Sequence, residues 1–114
     1  VTNWGTGSPR REFLHVDDMA AACLHLLENY DGAAQVNVGT GSDATIKEIA
    51  ETISRVVGFQ GETRWDTSKP DGMHQKLLDV SKLAEAGWTS QIDLVDGISS
   101  TIDWFRANAN NVRE

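Results

Sequence analysis

Two segments of this chain combine basic side chains with glycine and proline turns, a combination suited to binding an anion. Residues 4–18 read WGTGSPRREFLHVDD, and residues 69–79 read KPDGMHQKLLD. In each segment a basic residue, Arg11 or Lys76, follows the turn and precedes an apolar run. Arginine offers a planar fork of donors that matches phosphate, and lysine offers a mobile point charge. The pattern predicts that both segments contribute to one site for a phosphate-bearing ligand.

The composition excludes several classes of partner. Seventeen acidic residues against ten basic residues give a net charge of -7, which argues against binding to nucleic acid or to an anionic membrane. No apolar run approaches the roughly 20 residues that a membrane-spanning helix needs. Cys23 is the only cysteine, which excludes a disulfide within the chain and is typical of the reducing cytoplasm. We therefore expect residues 1–114 to form a single cytoplasmic domain.

The spacing of apolar residues predicts an α/β fold with about four helices. Side chains that suit helix caps mark where each helix begins, and glycines mark where they end. The predicted helices run from Asp17 or Asp18 to about residue 31, from a Thr45–Glu48 capping box to Gly58, from Asp79 to Gly87, and from about residue 94 to residue 107.

Three or four short, mainly parallel strands are expected between these helices, at residues 1–4, 13–16, 35–38 and 62–66. So few strands make a small sheet with poorly protected edges. The chain also begins at Val1, without an initiator methionine and within an expected strand. These features favour a segment of a longer protein, either a fragment or a truncated gene product. The polar tail at residues 108–114 is expected to fray.

A glycine-rich loop at residues 39–44 resembles a dinucleotide fingerprint. It fits the pattern Gly-x-Gly-x-x-Ala between a strand and a helix, and Asp66 lies where a ribose-binding acid would be expected. The capping box, however, begins the helix at Thr45, so the third small residue lies outside the first helical turn. We therefore interpret the loop as an ordinary connection between a strand and a helix.

The neighbouring side chains of Arg10 and Arg11 should point to opposite faces of an extended backbone. One of them should therefore face a partner or a ligand, and Glu12 could be that partner. For Lys76, a surface lysine and a cation that reaches a diphosphate are equally good interpretations. Asp71 could accept a hydrogen bond from the ligand.

The remaining reactive residue types form no recognisable catalytic set. The three histidines are not spaced as metal ligands, and His15 and His25 are expected to be structural or boundary residues. Cys23 lies on an apolar helical stripe, so it is expected to pack in the core. The sequence contains no Tyr-x-x-x-Lys motif and no recognisable Ser-His-Asp arrangement. Trp4, beside a glycine loop, could form one wall of a ligand pocket.

Several motifs in fixed order resemble the carboxyl-terminal part of the GDP-L-fucose synthase family, which belongs to the extended short-chain dehydrogenases/reductases. The resemblance covers nearly the whole chain, and the Lys-Pro-Asp-Gly turn followed by Lys-Leu-Leu-Asp is its most specific part. The matching motifs are WGxGxPxREFLHVDD at 4–18, VNVGTG at 36–41, DxSKPDG at 66–72, KLLDV at 76–80, GW at 87–88 and WF at 104–105.

The resemblance implies an activity, and it implies that the substrate-binding and the cofactor-binding residues lie in different parts of the protein. Family members epimerise and reduce GDP-4-keto-6-deoxy-mannose with NADPH. Trp4, Arg11, Asp71 and Lys76 match positions that hold the GDP-sugar, with Arg11 and Lys76 at the nucleotide-diphosphate end. The family's NADP loop and catalytic Ser, Tyr and Lys lie upstream of the matched segment. This chain also has Met-His-Gln before Lys76 where the family usually has Thr-Pro-Arg, so one cation near the ligand is lost.

The sequence therefore predicts the GDP-sugar-binding portion of an NADP-dependent epimerase/reductase, with no cofactor-binding or catalytic residue of its own. Hydride transfer requires the nicotinamide and the proton donor beside the sugar, so this portion should not be catalytic by itself. The alternative is a non-catalytic, truncated module that forms a homodimer through exposed sheet edges. A third, weaker possibility is a stand-alone binder of nucleotide sugars.

Overall fold

The computed structural model describes residues 1–109, and within them the chain adopts the predicted α/β class with four helices. Five very short strands accompany the helices. Most of the 108–114 tail, for which fraying was predicted, lies outside the described residues. The elements are β1 (Thr2–Trp4), β2 (Arg10–Arg11), α1 (Val16–Asn29), β3 (Ala44–Thr45), α2 (Ile46–Val57), β4 (Arg64–Asp66), β5 (Gln75–Lys76), α3 (Ser81–Glu85) and α4 (Leu94–Asn108).

The strands form two small sheets that are mainly parallel, as predicted. β1 pairs with β4 in parallel, and Asn3 lies opposite Trp65. In the second sheet β2 is central, antiparallel to β3 on one side and parallel to β5 on the other. The chain therefore passes twice from the first sheet to the second. The first passage runs from β1 to β2 and the second from β4 to β5, and the two run parallel to each other.

Two of the strand predictions were wrong. Residues 13–16 and 35–38 join neither sheet within the described part of the chain. A strand exists only where a neighbouring strand accepts and donates its backbone hydrogen bonds, and apolar character alone does not supply that neighbour. Three strands form instead at polar or small residues, at 10–11, 44–45 and 75–76.

The start of α1 also differs from the prediction. His15, rather than Asp17 or Asp18, is the N-cap, and its Nδ1 accepts a hydrogen bond from the Asp17 amide at 3.2 Å. Asp18 is 3% exposed, and its Oδ2 accepts from the amides of Gln91 and Ile92, each at 3.0 Å. The carboxylate that resembled a helix cap therefore joins α1 to the loop that precedes α4.

The other helix boundaries agree with the sequence more closely. Thr45 and Glu48 form the predicted capping box of α2, and Gly58 ends that helix in the left-handed conformation with φ 72°. The N-cap of α3 is Val80 and not the predicted Asp79, although Asp79 accepts from the amide and the hydroxyl of Ser81, the first residue of α3. Local signals are sufficient here because each cap is built within three residues of the helix end.

The buried core is small, and much apolar surface is exposed. Ala22, Ile49 and Leu83 are the buried apolar residues of the described chain, whereas Leu27 is 83% exposed. The accessible surface is 8200 Å², against about 6,200 Å² for a typical monomer of this mass. Cys23 is exposed, so the expectation that it packs in the core was wrong. The accessible surface is therefore larger than that of a typical monomer, and part of the excess is apolar surface that no other described element of the chain covers.

Candidate anion-binding site

The two segments singled out in the sequence lie side by side in the structure. Residues 5–9 connect β1 to β2, and residues 67–74 connect β4 to β5. Since β1 pairs with β4 and β2 pairs with β5, both in parallel, the two connections leave one sheet together and reach the next together. Loops at the carboxyl ends of parallel strands are a common place for ligand sites.

Asp71, in the β4–β5 connection, forms hydrogen bonds with Thr6 in the β1–β2 connection. Its Oδ1 accepts from the Thr6 amide at 2.8 Å, and its Oδ2 accepts from the Thr6 hydroxyl at 2.7 Å. The Thr6 side-chain hydrogen bond, followed by the bond from the Thr6 backbone, holds the pKa of Asp71 below its usual value. A Cβ on Gly5 would collide with this carboxylate. Asp71 thus links the loops, and its predicted contact with a ligand remains a prediction.

Arg11 and Lys76 are register partners on β2 and β5. Directly paired residues of parallel strands point to the same face, and adjacent strands lie about 4.8 Å apart. Within the described residues neither cation forms an ion pair with a carboxylate. Arg11 is half-buried: its Nη1 donates to the Arg10 carbonyl at 2.6 Å, and a Cβ on Gly72 would lie 3.3 Å from its Nη2.

Arg11 lines several cavities, and two of them also contain other predicted site residues. The first, of about 130 Å³, is shared with Trp4 and Asp71, and the second, of about 540 Å³, is shared with Lys76. Clefts of about 300–1,000 Å³ hold typical small ligands. The other three predicted site residues, Trp4, Asp71 and Lys76, therefore each share a cavity with Arg11, and their ligand remains to be tested.

Trp4 stands at the outer edge of this group. Its side chain is highly exposed, and Lys69 Nζ lies 5.5 Å from the centroid of its ring. A cation at this distance is attracted to the negative face of the indole. The pair places the positive charge of Lys69 beside Trp4.

Arg10 faces a partner, as one of the two arginines was predicted to do, but that partner is Asp43. Arg10 Nε donates to Asp43 Oδ1 at 2.8 Å, and its Nη2 donates to the Asp43 carbonyl at 3.1 Å. Gln75 Nε2 donates to the other carboxylate oxygen, Oδ2, at 2.5 Å. The Gln75 bond and then the Arg10 bond lower the pKa of Asp43, and the Asp43 carboxylate raises that of Arg10.

Glu12, which was suggested as the arginine's partner, fills the glycine-rich loop instead. Its Oε1 accepts from the Gly41 amide at 2.7 Å, and its Oε2 accepts from the Leu78 amide at 3.2 Å. A Cβ on Gly39 would lie 2.5 Å from Oε1. The loop therefore already binds a carboxylate of its own chain.

Two of the three histidines, His15 and His25, form hydrogen bonds within the fold. His15 Nε2 lies 3.2 Å from the Ser100 hydroxyl, and His25 Nε2 lies 2.6 Å from the Ala86 carbonyl. Across residues 1–109 no group of three or more His, Cys, Asp or Glu side chains could hold a metal ion.

Among the described helices, none has the length and apolar character to cross a membrane.

Comparison with known proteins identifies the relatives of the chain. Residues 1–39 match the NAD dependent epimerase/dehydratase family. The chain is 55% identical to GDP-L-fucose synthase 1 of Arabidopsis thaliana over 97% of its length, and 48% identical to GDP-L-fucose synthase of Escherichia coli K12 over 99%. The GDP-L-fucose synthases are homologues of this chain. The chain spans only about a third of their length, 34% and 38% respectively.

A solved structure supports the same relationship. GDP-L-fucose synthetase from Naegleria fowleri, bound to NADP, superposes with a TM-score of 0.93 at 28% identity, over 99% of this chain and 36% of that one. The resemblance inferred from the motifs is therefore confirmed, and so is the fold of short-chain dehydrogenase/reductase type. The small, mainly parallel sheets of this chain belong to that architecture.

The sequence did not reveal three contacts that shape the site: the Thr6–Asp71 link, the Asp43–Gln75 bridge and the Glu12 contact with the glycine loop. Each joins residues at least 29 positions apart. The available signal was the strand pairing. Had β2 been placed beside β5, the alternation of side chains would have put Arg10 with Gln75 and Arg11 with Lys76.

Proposed function

We propose that this chain is the carboxyl-terminal, GDP-sugar-binding portion of an NADP-dependent epimerase/reductase of the GDP-L-fucose synthase type. Its substrate would be of the GDP-4-keto-6-deoxy-mannose class. One observation carries the proposal: Arg11 and Lys76 are register partners on parallel strands, face the same side and have no carboxylate partner among the described residues.

Two cations held side by side suit a diphosphate. The guanidinium can donate two parallel hydrogen bonds to one phosphate, and the ammonium can approach the other as a point charge. Of the described lysines and arginines, only Arg10 and Arg64 form ion pairs with carboxylates, so Arg11 and Lys76 are distinguished by being neighbours in the sheet and not by the lack of a carboxylate partner. Carboxylates beside this site already accept hydrogen bonds: Asp71 from Thr6, Asp43 from Arg10 and Gln75, and Glu12, which lines the cavity of Arg11 and Lys76, from the amides of Gly41 and Leu78.

The other two residues have complementary roles in the proposal. Trp4 offers an exposed indole against which a sugar or a base can pack, with Lys69 already on one face of the ring. Asp71 keeps both loops in place and retains acceptor capacity for a ligand hydroxyl or amide, since an ionised carboxylate has about four acceptor positions.

Under this proposal the chain binds and orients the substrate, and hydride transfer depends on NADPH bound by other parts of the enzyme. The glycine-rich loop of residues 39–41 would not supply the phosphate site of that cofactor in this proposal, because the Gly41 amide already donates to Glu12. Reduction requires the nicotinamide within contact of the sugar. The binding portion therefore contributes affinity and position, and not the reducing electrons.

Calorimetric titration of the 114-residue chain with GDP, at low and at high salt, tests the proposal. We expect binding that weakens with salt and falls by about 10- to 100-fold in Arg11→Ala or Lys76→Ala, because hydrogen bonds to charged groups contribute roughly 1.5–3 kcal/mol. Arg55→Ala on α2 and Lys82→Ala on α3 are the matched controls. A folded chain that binds no GDP, or that loses as much affinity in the controls, would contradict the proposal.

A second candidate function is self-association of a non-catalytic module. The surplus of about 2,000 Å² of accessible surface over a typical monomer of this mass favours it. The radius of gyration, 16.8 Å, also exceeds the roughly 13 Å expected of a compact chain of this length. Light scattering separates the candidates: a dimer that binds neither GDP nor NADPH supports the module, and a monomer that binds GDP excludes it.

A further inference from the structure

We propose that Asp43 and Gln75 are positioning residues that keep Lys76 beside Arg11. The inference rests on the proposed function, since it explains how the two cations come to share one face. Gln75 also lines the cavity of Arg11 and Lys76, but its effect in this account comes from the strand register and not from a contact with the ligand. They act through the register of β2 and β5.

The pairing of β2 with β5 is too short to define its own register. It consists of two residue pairs, Arg10 with Gln75 and Arg11 with Lys76, extended by one hydrogen bond from the Arg10 amide to the His74 carbonyl at 2.8 Å. Strands of globular proteins usually contain about five or six residues. A two-residue pairing therefore needs side-chain support.

Asp43 supplies that support from the strand on the other side. It directly precedes β3, its side chain is 8% exposed, and its two oxygens bind Arg10 of β2 and Gln75 of β5. One carboxylate thus spans the three strands of the sheet. It fits a single alignment, the one in which Arg10 and Gln75 are opposite each other.

The consequence for Lys76 follows from the alternation of side chains. Arg10 and Gln75 occupy one face of the sheet, and Arg11 and Lys76 occupy the other. A slip of one residue would turn the face of β5 over and move Lys76 away from Arg11. The bridge on one face therefore fixes the pair of cations on the opposite face.

The test is a set of variants titrated with GDP. Gln75→Met keeps the length of the side chain and removes its donor, and we expect affinity to fall by about 3- to 10-fold, in line with one hydrogen bond. In a Lys76→Ala background the same change should have no effect, because Gln75 acts through Lys76. Gln35→Met, at an exposed position, is the matched control.

A rescue experiment separates positioning from general stability. Gln75→Glu sets two carboxylates against each other and should weaken binding more than Gln75→Met. Adding Asp43→Asn exchanges the amide and the carboxylate between the two positions, so the bridge can form again and affinity should recover. Equal losses with and without Lys76, or no recovery in the double variant, would overturn the inference.

Failure of the proposed function would be visible separately. If the unsubstituted chain binds no GDP, the proposed function is rejected. Nuclear Overhauser contacts between Arg11 and Lys76 then still test whether Asp43 and Gln75 position Lys76. They should be present in the unsubstituted chain and lost in Gln75→Met, while far-ultraviolet circular dichroism stays unchanged. Contacts that persist in Gln75→Met would overturn the inference whatever the outcome of the titration.

Discussion

Replacing Asp18 by alanine should destabilise the chain more than any other single loss of a carboxylate discussed above. Asp18 is 3% exposed, and one of its oxygens accepts from two backbone amides, those of Gln91 and Ile92, at 3.0 Å each. An amide left without a partner costs about 1–3 kcal/mol when buried. These two amides are only part-buried, so we expect a total loss of about 2–4 kcal/mol, a large share of the roughly 5–15 kcal/mol typical of a domain.

Urea unfolding followed by tryptophan fluorescence measures this loss. With a dependence of about 1–3 kcal/mol per molar urea, the midpoint should fall by roughly 1–3 M. Asp17→Ala is the matched control, because its side chain is 80% exposed and one residue away. Asp18→Asn keeps one acceptor oxygen and should lose about half as much, since charge roughly doubles the strength of a hydrogen bond. Equal midpoints for Asp17→Ala and Asp18→Ala would refute the reasoning.

Three further predictions concern the site and the caps. Gly72→Ala should weaken GDP binding by about two- to tenfold without altering stability, because the new Cβ displaces the Arg11 fork from its geometry; titration together with thermal unfolding checks both parts. Thr6→Val should raise the pKa of Asp71 toward its ordinary value, as measured by carboxyl NMR titration. Thr45→Ala should cost about 1 kcal/mol through loss of the α2 cap, as measured by urea unfolding.

The Thr6 prediction has a definite dependence on pH. Because folding lowers the pKa of Asp71, the Thr6–Asp71 link stabilises the chain at pH values above the ordinary carboxyl pKa. That contribution is lost as the pH falls through the lowered pKa of the folded chain. In Thr6→Val this contribution should be smaller and its loss should be complete at a higher pH, whereas Thr67→Val should titrate like the unsubstituted chain. An unchanged Asp71 titration in Thr6→Val would contradict the assignment.

Features built within a few residues could be predicted from the sequence. The Thr45–Glu48 capping box, the Gly58 stop and the contact of Asp79 with Ser81 all follow from local spacing. The resemblance to the GDP-L-fucose synthases also came from short motifs in fixed order. The spacing of Arg11 and Lys76 after glycine and proline turns predicted that the two segments belong to one site, and the structure places these segments side by side.

Features that depend on distant pairing could not be predicted. The partner of Arg10 is 33 residues away, at Asp43, and nothing in the sequence near Arg10 favours that residue over Glu12. Asp18 resembled a helix cap because of its local position. Its actual role, accepting hydrogen bonds from a loop more than 70 residues further along the chain, could not be seen from the neighbouring sequence. The apolar residues 13–16 predicted a strand, although a strand also needs a partner that apolar character does not specify.

A crystal structure of the chain with GDP tests the central claim most directly, because it locates both phosphates. The account predicts that the diphosphate lies on the Arg11 and Lys76 face of β2 and β5, with one phosphate within hydrogen-bond distance of the Arg11 guanidinium and the other within reach of Lys76 Nζ. A diphosphate bound at the glycine-rich loop of residues 39–41, or anywhere that leaves both cations without a phosphate contact, would contradict it.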